Sequence, residues 1–183
     1  MTRKFPIRTL LALICIAAGS LLISACGAKE ENHVTEAETL ELGDIQYRVQ
    51  ITRFLNPHDV EDAEYLDGLP DSLPKGQAYL GVFLKVKNEG SKPFKVPTKA
   101  DFTVKDTTDQ QFSPIPQNTP FSLVLGSTIP PGGELPLADS AAGAGPIEGG
   151  LVLFKVDTSV SENRPIELEI DSDGNKGSIE LDI

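Results

Sequence analysis

Apolar and polar residues alternate along most of the chain beyond residue 40, and this alternation predicts its secondary structure. The clearest run is Tyr79–Asn88, in which Leu80, Val82, Leu84 and Val86 share one face. A strand with one buried face produces this period of two. Shorter alternating or apolar runs lie at residues 45–51, 102–104, 121–125, 151–156, 166–170 and 178–183. The pattern therefore predicts about seven or eight short strands.

Clusters of turn-forming residues separate the predicted strands. They are Asn88-Glu89-Gly90-Ser91, Pro130-Pro131-Gly132-Gly133 and Asp173-Gly174-Asn175. Glycine, proline, asparagine and aspartate favour turns because of their backbone conformations and local hydrogen bonds. Short strands joined by such turns are typical of an antiparallel β-sandwich, whereas parallel βαβ units would need helical connections between the strands.

One segment between the first two long strands has the pattern of a helix. Asn56 can cap it and Pro57 suits its first position. Asp59 lies near the positive end of the helix dipole, and Gly68 can end the helix. Apolar residues at helical spacing are few, so only a narrow stripe would be buried. We expect one short helix within residues 55–70, packed on a sheet edge or over one end of the sandwich.

The first 26 residues have the pattern of an export signal. Residues 1–8 carry three basic and no acidic side chains, and the apolar run 9–23 is too short to cross a bilayer as a helix. The sequence Leu22-Ile23-Ser24-Ala25-Cys26-Gly27 then resembles the bacterial lipobox, in which an aliphatic and two small residues precede a cysteine that receives diacylglycerol. The alternative is an ordinary cleavage site with an unrelated cysteine. We expect cleavage before Cys26 and acylation of its sulfur, with chains such as palmitate holding the mature protein on a membrane.

These signals divide the chain into three parts. Residues 1–25 are the lipoprotein signal peptide, residues 26–39 are the lipidated cysteine with a flexible acidic tether, and residues 40–183 are the β-sandwich domain. Both cysteines, Cys15 and Cys26, lie outside that domain. Disulfides, dithiol redox pairs and cysteine-ligated metal sites are therefore excluded from it.

The mature chain is strongly acidic. After loss of Arg3, Lys4 and Arg8 with the signal peptide, 13 basic side chains remain against 27 acidic ones, a net charge of −14. Such a chain repels phosphate backbones, so we expect no nucleic-acid partner. His58 is the only imidazole in the predicted domain, which argues against a Ser–His hydrolase. We therefore expect a protein that is not an enzyme and uses no cofactor.

The predicted helix carries the one candidate for a metal site. His58, Asp59 and Asp62 are close enough in sequence to share a divalent cation, since imidazole nitrogens and carboxylate oxygens are common ligands. The alternative is a solvated helix face on an acidic protein. A second acidic motif, Asp171-Ser172-Asp173-Gly174-Asn175, lacks the glycine and glutamate spacing of an EF-hand loop and predicts a hairpin turn.

The segment from Tyr79 to Phe112 resembles the first half of a telokin-like immunoglobulin-fold domain of unknown function, found on bacterial surface lipoproteins. The family pattern is an alternating strand ending in Asn, a Gly-Ser-Lys-Pro turn, a Phe-containing strand, and an Asp-rich turn before an aromatic residue. In this chain these features are Val82–Asn88, Gly90-Ser91-Lys92-Pro93, Phe102–Lys105, Asp106–Asp109 and Phe112. The second half agrees at residues 129–133 and 151–156, so the resemblance covers about residues 40–183. The insertion at 55–77 and the Gly/Ala-rich stretch 138–150 depart from the family pattern.

The resemblance implies an all-β, immunoglobulin-like antiparallel β-sandwich that is exported and non-catalytic. Together with the lipobox, it predicts a lipid-anchored envelope lipoprotein on the extracytoplasmic face of the cell membrane, acting as a binding or scaffolding module. Its expected partners are membrane lipid, through acylated Cys26, and another envelope protein, while the sequence identifies no ligand. The alternative is a divalent-cation-binding or sensing lipoprotein that uses residues 58–71.

Overall fold

The computed structural model describes residues 32–183, which form twelve strands in two five-stranded sheets and one two-stranded sheet. The predicted all-β sandwich is confirmed. Its strands outnumber the seven or eight predicted, because four of them span only two residues and leave no periodic pattern. The strands are β1 (His33–Thr35), β2 (Leu40–Leu42), β3 (Ile45–Leu55), β4 (Gln77–Asn88), β5 (Phe94–Lys95), β6 (Phe102–Lys105), β7 (Gln111–Phe112), β8 (Thr128–Ile129), β9 (Glu134–Leu135), β10 (Gly150–Asp157), β11 (Ile166–Ser172) and β12 (Asn175–Leu181). The helices are α1 (Val60–Ala63), α2 (Ala141–Ala144) and a 3₁₀ turn (Thr158–Glu162).

The two larger sheets have different strand orders. One has the order β1-β12-β11-β6-β7, and the other has the order β10-β4-β3-β2, with β9 added beside β4. Strand pairs are antiparallel except for β1 and β12, which run parallel. Asp173 and Gly174, both at positive φ, join β11 to β12, so the predicted hairpin turn is confirmed.

The long strands follow the order of an immunoglobulin domain. If β3, β4, β6, β10, β11 and β12 are taken as strands A, B, C, E, F and G, one sheet contains A-B-E and the other contains C-F-G. An irregular segment, residues 114–123, takes the place of strand D at the edge of β10. It meets β10 only in isolated bridges, Pro114 to Phe154 and Ser122 to Leu151. The apolar run at 121–125 is therefore not the regular strand that the sequence predicts.

The core lies between the two sheets, where the alternating apolar residues meet. Leu80, Val82, Leu84 and Val86 of β4 are fully buried, as their period of two predicts. They belong to one cluster with the inward residues of the opposite sheet, which include Phe102, Val104, Leu168, Ile170 and Ile179. Each such side chain stabilises the fold by about 1.5–3 kcal/mol when it leaves water.

The beginning of the described chain belongs to the sandwich and not to a tether. β1 pairs with β12, and Val34, Leu40 and Leu42 are buried. The predicted tether is therefore wrong for residues 33–39, where a single apolar residue among acidic ones gives no strand signal. The predicted signal peptide, Cys26 and the tether up to residue 31 lie outside the described residues.

Glu36 fastens this N-terminal segment to both sheets. Its carboxylate accepts a hydrogen bond from the Thr52 N–H of β3 at 3.0 Å and another from the Asp182 N–H, just after β12, at 3.1 Å. The backbone N–H of Glu36 also donates to Glu180 O at 2.8 Å. One side chain thus bridges the two layers where the chain crosses from one to the other.

The helix in the insertion begins later than predicted. Its N-cap is Asp59, whose carboxylate accepts from the Glu61 N–H at 2.9 Å. Asn56, the predicted cap, accepts from the His58 N–H within the preceding turn. No helix within residues 32–183 has the length and apolar character needed to cross a bilayer.

Asn88, which ends β4, is buried and holds two turns in place. Its Nδ2 donates to the backbone oxygens of Lys92, Ile129 and Pro130 at 2.8, 3.1 and 3.2 Å, and its Oδ1 accepts from the Gly90 N–H at 2.9 Å. Only 1% of the residue is exposed. The asparagine of the family-like pattern therefore satisfies backbone groups that would otherwise be buried without partners.

Asp106 has the same role in the turn between β6 and β7. One of its oxygens accepts from the Thr108 N–H and hydroxyl and from the Gln110 N–H, and the other accepts from Asn163 Nδ2 at 3.0 Å. Burial raises the pKa of Asp106. The hydrogen bonds from Thr108, Asn163 and Gln110 outweigh this effect and leave the pKa below its ordinary value.

We expect Asp106 to stabilise the fold only in its charged form. Because its pKa is lower in the folded than in the unfolded chain, the stabilisation is present above the unfolded value of 3.8 and is lost as the pH falls through the folded value. Asp106→Asn should lower the free energy of unfolding at pH 7 by about 2 kcal/mol, and this difference should shrink at acidic pH. Denaturant titrations at several pH values measure it. The control is Asp139→Asn, since Asp139 is exposed and has no side-chain hydrogen bond within residues 32–183. A difference between wild type and Asp106→Asn that is constant with pH would contradict the prediction.

Candidate functional site

The acidic insertion, residues 56–76, lies on the outer face of the sheet that contains β4. Its Tyr65 contacts Phe83 of β4 edge-on, with ring centroids 5.1 Å apart, and contacts Phe121 at 4.8 Å. Tyr65 and Leu66 are buried in a second apolar cluster, whose sheet residues are Leu55, Tyr79, Phe83, Leu151 and Leu153. The insertion is therefore a third layer with a small core of its own.

Asp62 is the buried charge of this layer. It is 5% exposed, pairs with the Arg53 guanidinium of β3, and accepts from the Asn56 N–H at 2.9 Å. The Arg53 guanidinium also lies 6.0 Å from the centre of the Tyr65 ring, within cation–π distance. The carboxylate thus joins the beginning of the insertion to the sheet beneath it.

The structure does not bring the predicted cation ligands together. Asp62 turns inward to Arg53, Asp59 caps α1, and His58 is exposed in the turn before the helix. No group of three or more His, Cys, Asp or Glu side chains is arranged to hold a metal ion anywhere in residues 32–183. The predicted metal site at His58, Asp59 and Asp62 is therefore wrong. The four-residue helix α1 is too short to align the three side chains, and the carboxylate of Asp62 forms an ion pair with Arg53 of β3.

A cleft of about 390 Å³ opens at the edge of β10, where strand D of an immunoglobulin domain would lie. The chain pairs with β10 through Ile115, whose N–H donates to Leu153 O at 2.8 Å. It pairs again through Leu123, whose N–H donates to Leu151 O at 2.9 Å. The cleft is lined by Thr98 and Lys99 and by residues 114–119, 122–125 and 151–153.

The lining of this cleft is mostly apolar and nearly uncharged. Lys99 is its one charged residue, although the whole chain carries a net charge of −11. The Val124 side chain at this cleft is 63% exposed and therefore accessible from solvent. An apolar cleft with a few polar groups is the usual form of a binding site.

A signal for this cleft is present in the sequence. Residues 113–127 form a run without a single charged side chain. The composition of this run does not distinguish a buried strand from an exposed loop, and its apolar part, residues 121–125, is predicted from the sequence to be a strand. The cleft depends on where the run leaves β10 and where it rejoins, which periodicity does not encode.

The chain matches no protein-family model and no curated protein sequence. Solved structures are similar to it. The yjhA protein from Bacillus subtilis has a TM-score of 0.55 at 13% identity, and the match covers 81% of this chain and 99% of that one. A putative lipoprotein from Bacillus subtilis, ycdA, has a TM-score of 0.50 at 21% identity, and the match covers 81% of this chain and 39% of that one.

A third structure is an uncharacterized β-sandwich protein from Clostridium difficile, with a TM-score of 0.48 at 16% identity over 82% of this chain and 93% of that one. At identities this low, the two Bacillus subtilis structures show a shared fold and no more.

Proposed function

We propose that this protein is a lipid-anchored envelope lipoprotein whose β-sandwich is a non-catalytic binding module, and that the cleft beside β10 is its binding site. The observation that carries the proposal is the uncharged segment 113–127, which takes the place of a strand and encloses an apolar cleft.

The lipobox around Cys26 supports the anchor, and Cys26 is the only cysteine after residue 25 in the sequence. Diacylglycerol on that sulfur would place the folded part on the extracytoplasmic face of the cell membrane. The immunoglobulin strand order supports membership of the telokin-like family of surface lipoproteins, whose pattern ends β4 with an asparagine. Asn88 fills that position and ties two turns together.

Two features support a binding role over an enzymatic one. The carboxylates of Asp62 and Asp106 accept hydrogen bonds from backbone N–H groups and so have structural roles. The imidazole of His33 lies on the surface, away from the cleft, where its Nδ1 is within hydrogen-bond distance of the Ser178 hydroxyl, at 2.8 Å. The cleft offers shape, apolar contacts and neutral polar groups, which suit recognition of an apolar segment of another envelope component.

One experiment in intact cells tests both parts of this function. The full chain is produced with a photo-crosslinking residue in place of Val124, inside the cleft, or in place of Val60, which is 89% exposed on α1. We expect a discrete adduct from position 124 and none from position 60, and an intact mass that lacks residues 1–25 and includes a diacylglyceryl group. Cys26→Ser should abolish the lipid and release the protein from the membrane fraction.

One control variant and two possible outcomes make this experiment decisive. Ser122→Glu places a charge in the cleft and should remove the adduct at position 124. Identical adducts from positions 124 and 60 would contradict the cleft as the binding site. An unprocessed or unacylated chain in the membrane fraction would contradict the anchor.

A further inference from the structure

The segment that encloses the cleft leaves β10 at one point and rejoins it at another. Where it leaves, the Ile115 N–H donates to Leu153 O at 2.8 Å. Where it returns, the Leu151 N–H donates to Phe121 O at 2.8 Å. The first bridge to β10 is antiparallel and the second is parallel, so the chain reverses its direction between them. The shape of residues 116–120, called here the cleft loop, therefore depends on contacts other than pairing with β10.

Tyr65 of the insertion contacts this segment at two places. Its backbone oxygen accepts a hydrogen bond from Gln117 Nε2, near the beginning of the cleft loop. Its ring lies edge-on to the Phe121 ring, with centroids 4.8 Å apart, just after the loop. Tyr65 is 6% exposed and is not one of the residues that line the cleft. It therefore supports the cleft loop from the side that faces the insertion.

The position of Tyr65 is in turn fixed by the sheet beneath the insertion. Its N–H donates to Asp62 O at 3.0 Å, and the Asp62 carboxylate pairs with Arg53 of β3. The Tyr65 ring also packs edge-on against Phe83 of β4, with centroids 5.1 Å apart. A continuous series of contacts thus connects β3 and β4, through Asp62 and Tyr65, to the cleft loop.

The aromatic contact is the part of this support that depends on the side chain of Tyr65. The hydrogen bond from Gln117 uses the backbone oxygen of Tyr65, which a substitution at position 65 retains. Gln117 Oε1 is buried and has no hydrogen-bond partner within residues 32–183, and such an unpaired group is unfavourable. Edge-to-face pairs of aromatic rings, by contrast, are favourable beyond the area that they bury. The ring of Tyr65 is therefore the side chain to change.

We infer that Tyr65 is a positioning residue for the cleft, and that the insertion holds the cleft loop in the shape that a partner recognises. This inference rests on the proposed binding role of the cleft. Without the Tyr65 ring, Phe121 loses its aromatic neighbour and the loop samples several shapes. A partner then binds more weakly, because part of its binding free energy is spent on ordering the loop. The insertion is thus part of the binding site, although it does not line the cleft.

Cleavage by chymotrypsin tests the position of the loop without any ligand. A protease cuts an ordered segment through local opening, so the rate of the cut after Phe121 reports how often the loop opens. In the full chain, purified in detergent, we expect Tyr65→Leu to speed this cut by about tenfold or more, as measured by mass spectrometry of the fragments. Tyr65→Phe keeps the ring contacts and should stay within about twofold of wild type.

Asp106→Asn is the matched control for loss of stability. Asp106 lies in the turn after β6, in the opposite sheet, so this variant weakens the fold without touching the loop and should leave the cut after Phe121 within about twofold. An equal increase in Asp106→Asn and Tyr65→Leu would overturn the inference, because the cut would then follow global unfolding. A rate unchanged in Tyr65→Leu would overturn it as well.

Crosslinking in intact cells tests the effect on binding. With the photo-crosslinking residue at position 124, Tyr65→Leu should lower the yield of the adduct by about fivefold or more, whereas Tyr65→Phe and Asp106→Asn should keep it. Faster cleavage with an unchanged adduct would overturn the inference. A wild-type chain that gives no adduct would contradict the proposed function, and the cleavage rates would still show whether Tyr65 positions the loop.

Discussion

Asn88→Ala should lower the free energy of unfolding by about 3–4 kcal/mol, the largest loss that we expect from a single polar side chain in this fold. The alanine removes all hydrogen bonds made by the amide. It leaves the Ile129 carbonyl without its buried partner, and the Gly90 N–H and the Lys92 carbonyl without their part-buried ones. Each buried group left unpaired costs about 1–3 kcal/mol. Equilibrium unfolding in urea, followed by far-UV circular dichroism, measures the loss.

Asn88→Asp distinguishes hydrogen bonding from simple loss of volume. It preserves the shape of the side chain but replaces the donating amide nitrogen with an oxygen that faces three carbonyl oxygens. We expect this variant to be at least as unstable as the alanine at pH 7. Asn118→Ala, at an exposed asparagine of the cleft loop, is the matched control and should change stability by less than about 0.5 kcal/mol. A stable Asn88→Asp protein would show that the amide donor is not needed.

Asp62→Ala should destabilise the protein by about 3 kcal/mol, because it leaves Arg53 without its counter-charge and the Asn56 N–H without an acceptor. Replacing the pair with apolar residues, Arg53→Met with Asp62→Leu, should recover much of this loss, since the cost comes from the unpaired charge more than from the missing attraction. Thermal and urea unfolding of the two variants and the wild type provide the comparison.

Asp67→Asn is the control for this pair, since Asp67 is an exposed carboxylate in the same insertion. Its stability should stay within about 0.5 kcal/mol of wild type. If Asp62→Ala were equally mild, the ion pair would not hold the insertion on the sheet, and Asp62 would again be available as a ligand.

The sequence predicts the long strands because their periodicity is a local property. In β4 each inward residue is apolar and each neighbour faces the other way, so the pattern can be recognised without knowing the partner strand. The hairpin turn at Asp173 and Gly174 is local in the same sense, because both residues tolerate positive φ. β1 is not predicted from the sequence because Val34 is its only buried apolar residue, so no periodic pattern arises. Its pairing with β12 also depends on residues more than 140 positions away.

The charged residues of the insertion are misassigned for a related reason. His58, Asp59 and Asp62 are close in sequence, but the position of Asp62 is decided by Arg53 on the strand beneath it. The cleft, in turn, arises where an uncharged run departs from β10 between Ile115 and Leu123. Such features depend on contacts between distant segments, which a one-dimensional pattern does not contain. Cys26 and the residues before it lie outside the described part of the chain, so the lipid anchor stays a prediction.

The parallel pairing of β1 with β12 determines how the anchored fold would respond to a pulling force. β1 and β12 run in the same direction, so tension between the chain before β1 and the chain after β12 would act on these two strands in opposite directions along their length. Their hydrogen bonds are then loaded in shear and must rupture together, whereas an antiparallel terminal hairpin pulled from both tails would unzip one bond at a time. Glu36, bonded to both layers just beyond β1, adds to this resistance. The first strand of the sandwich would thus act as a mechanical clamp between the chain that precedes it and the folded core.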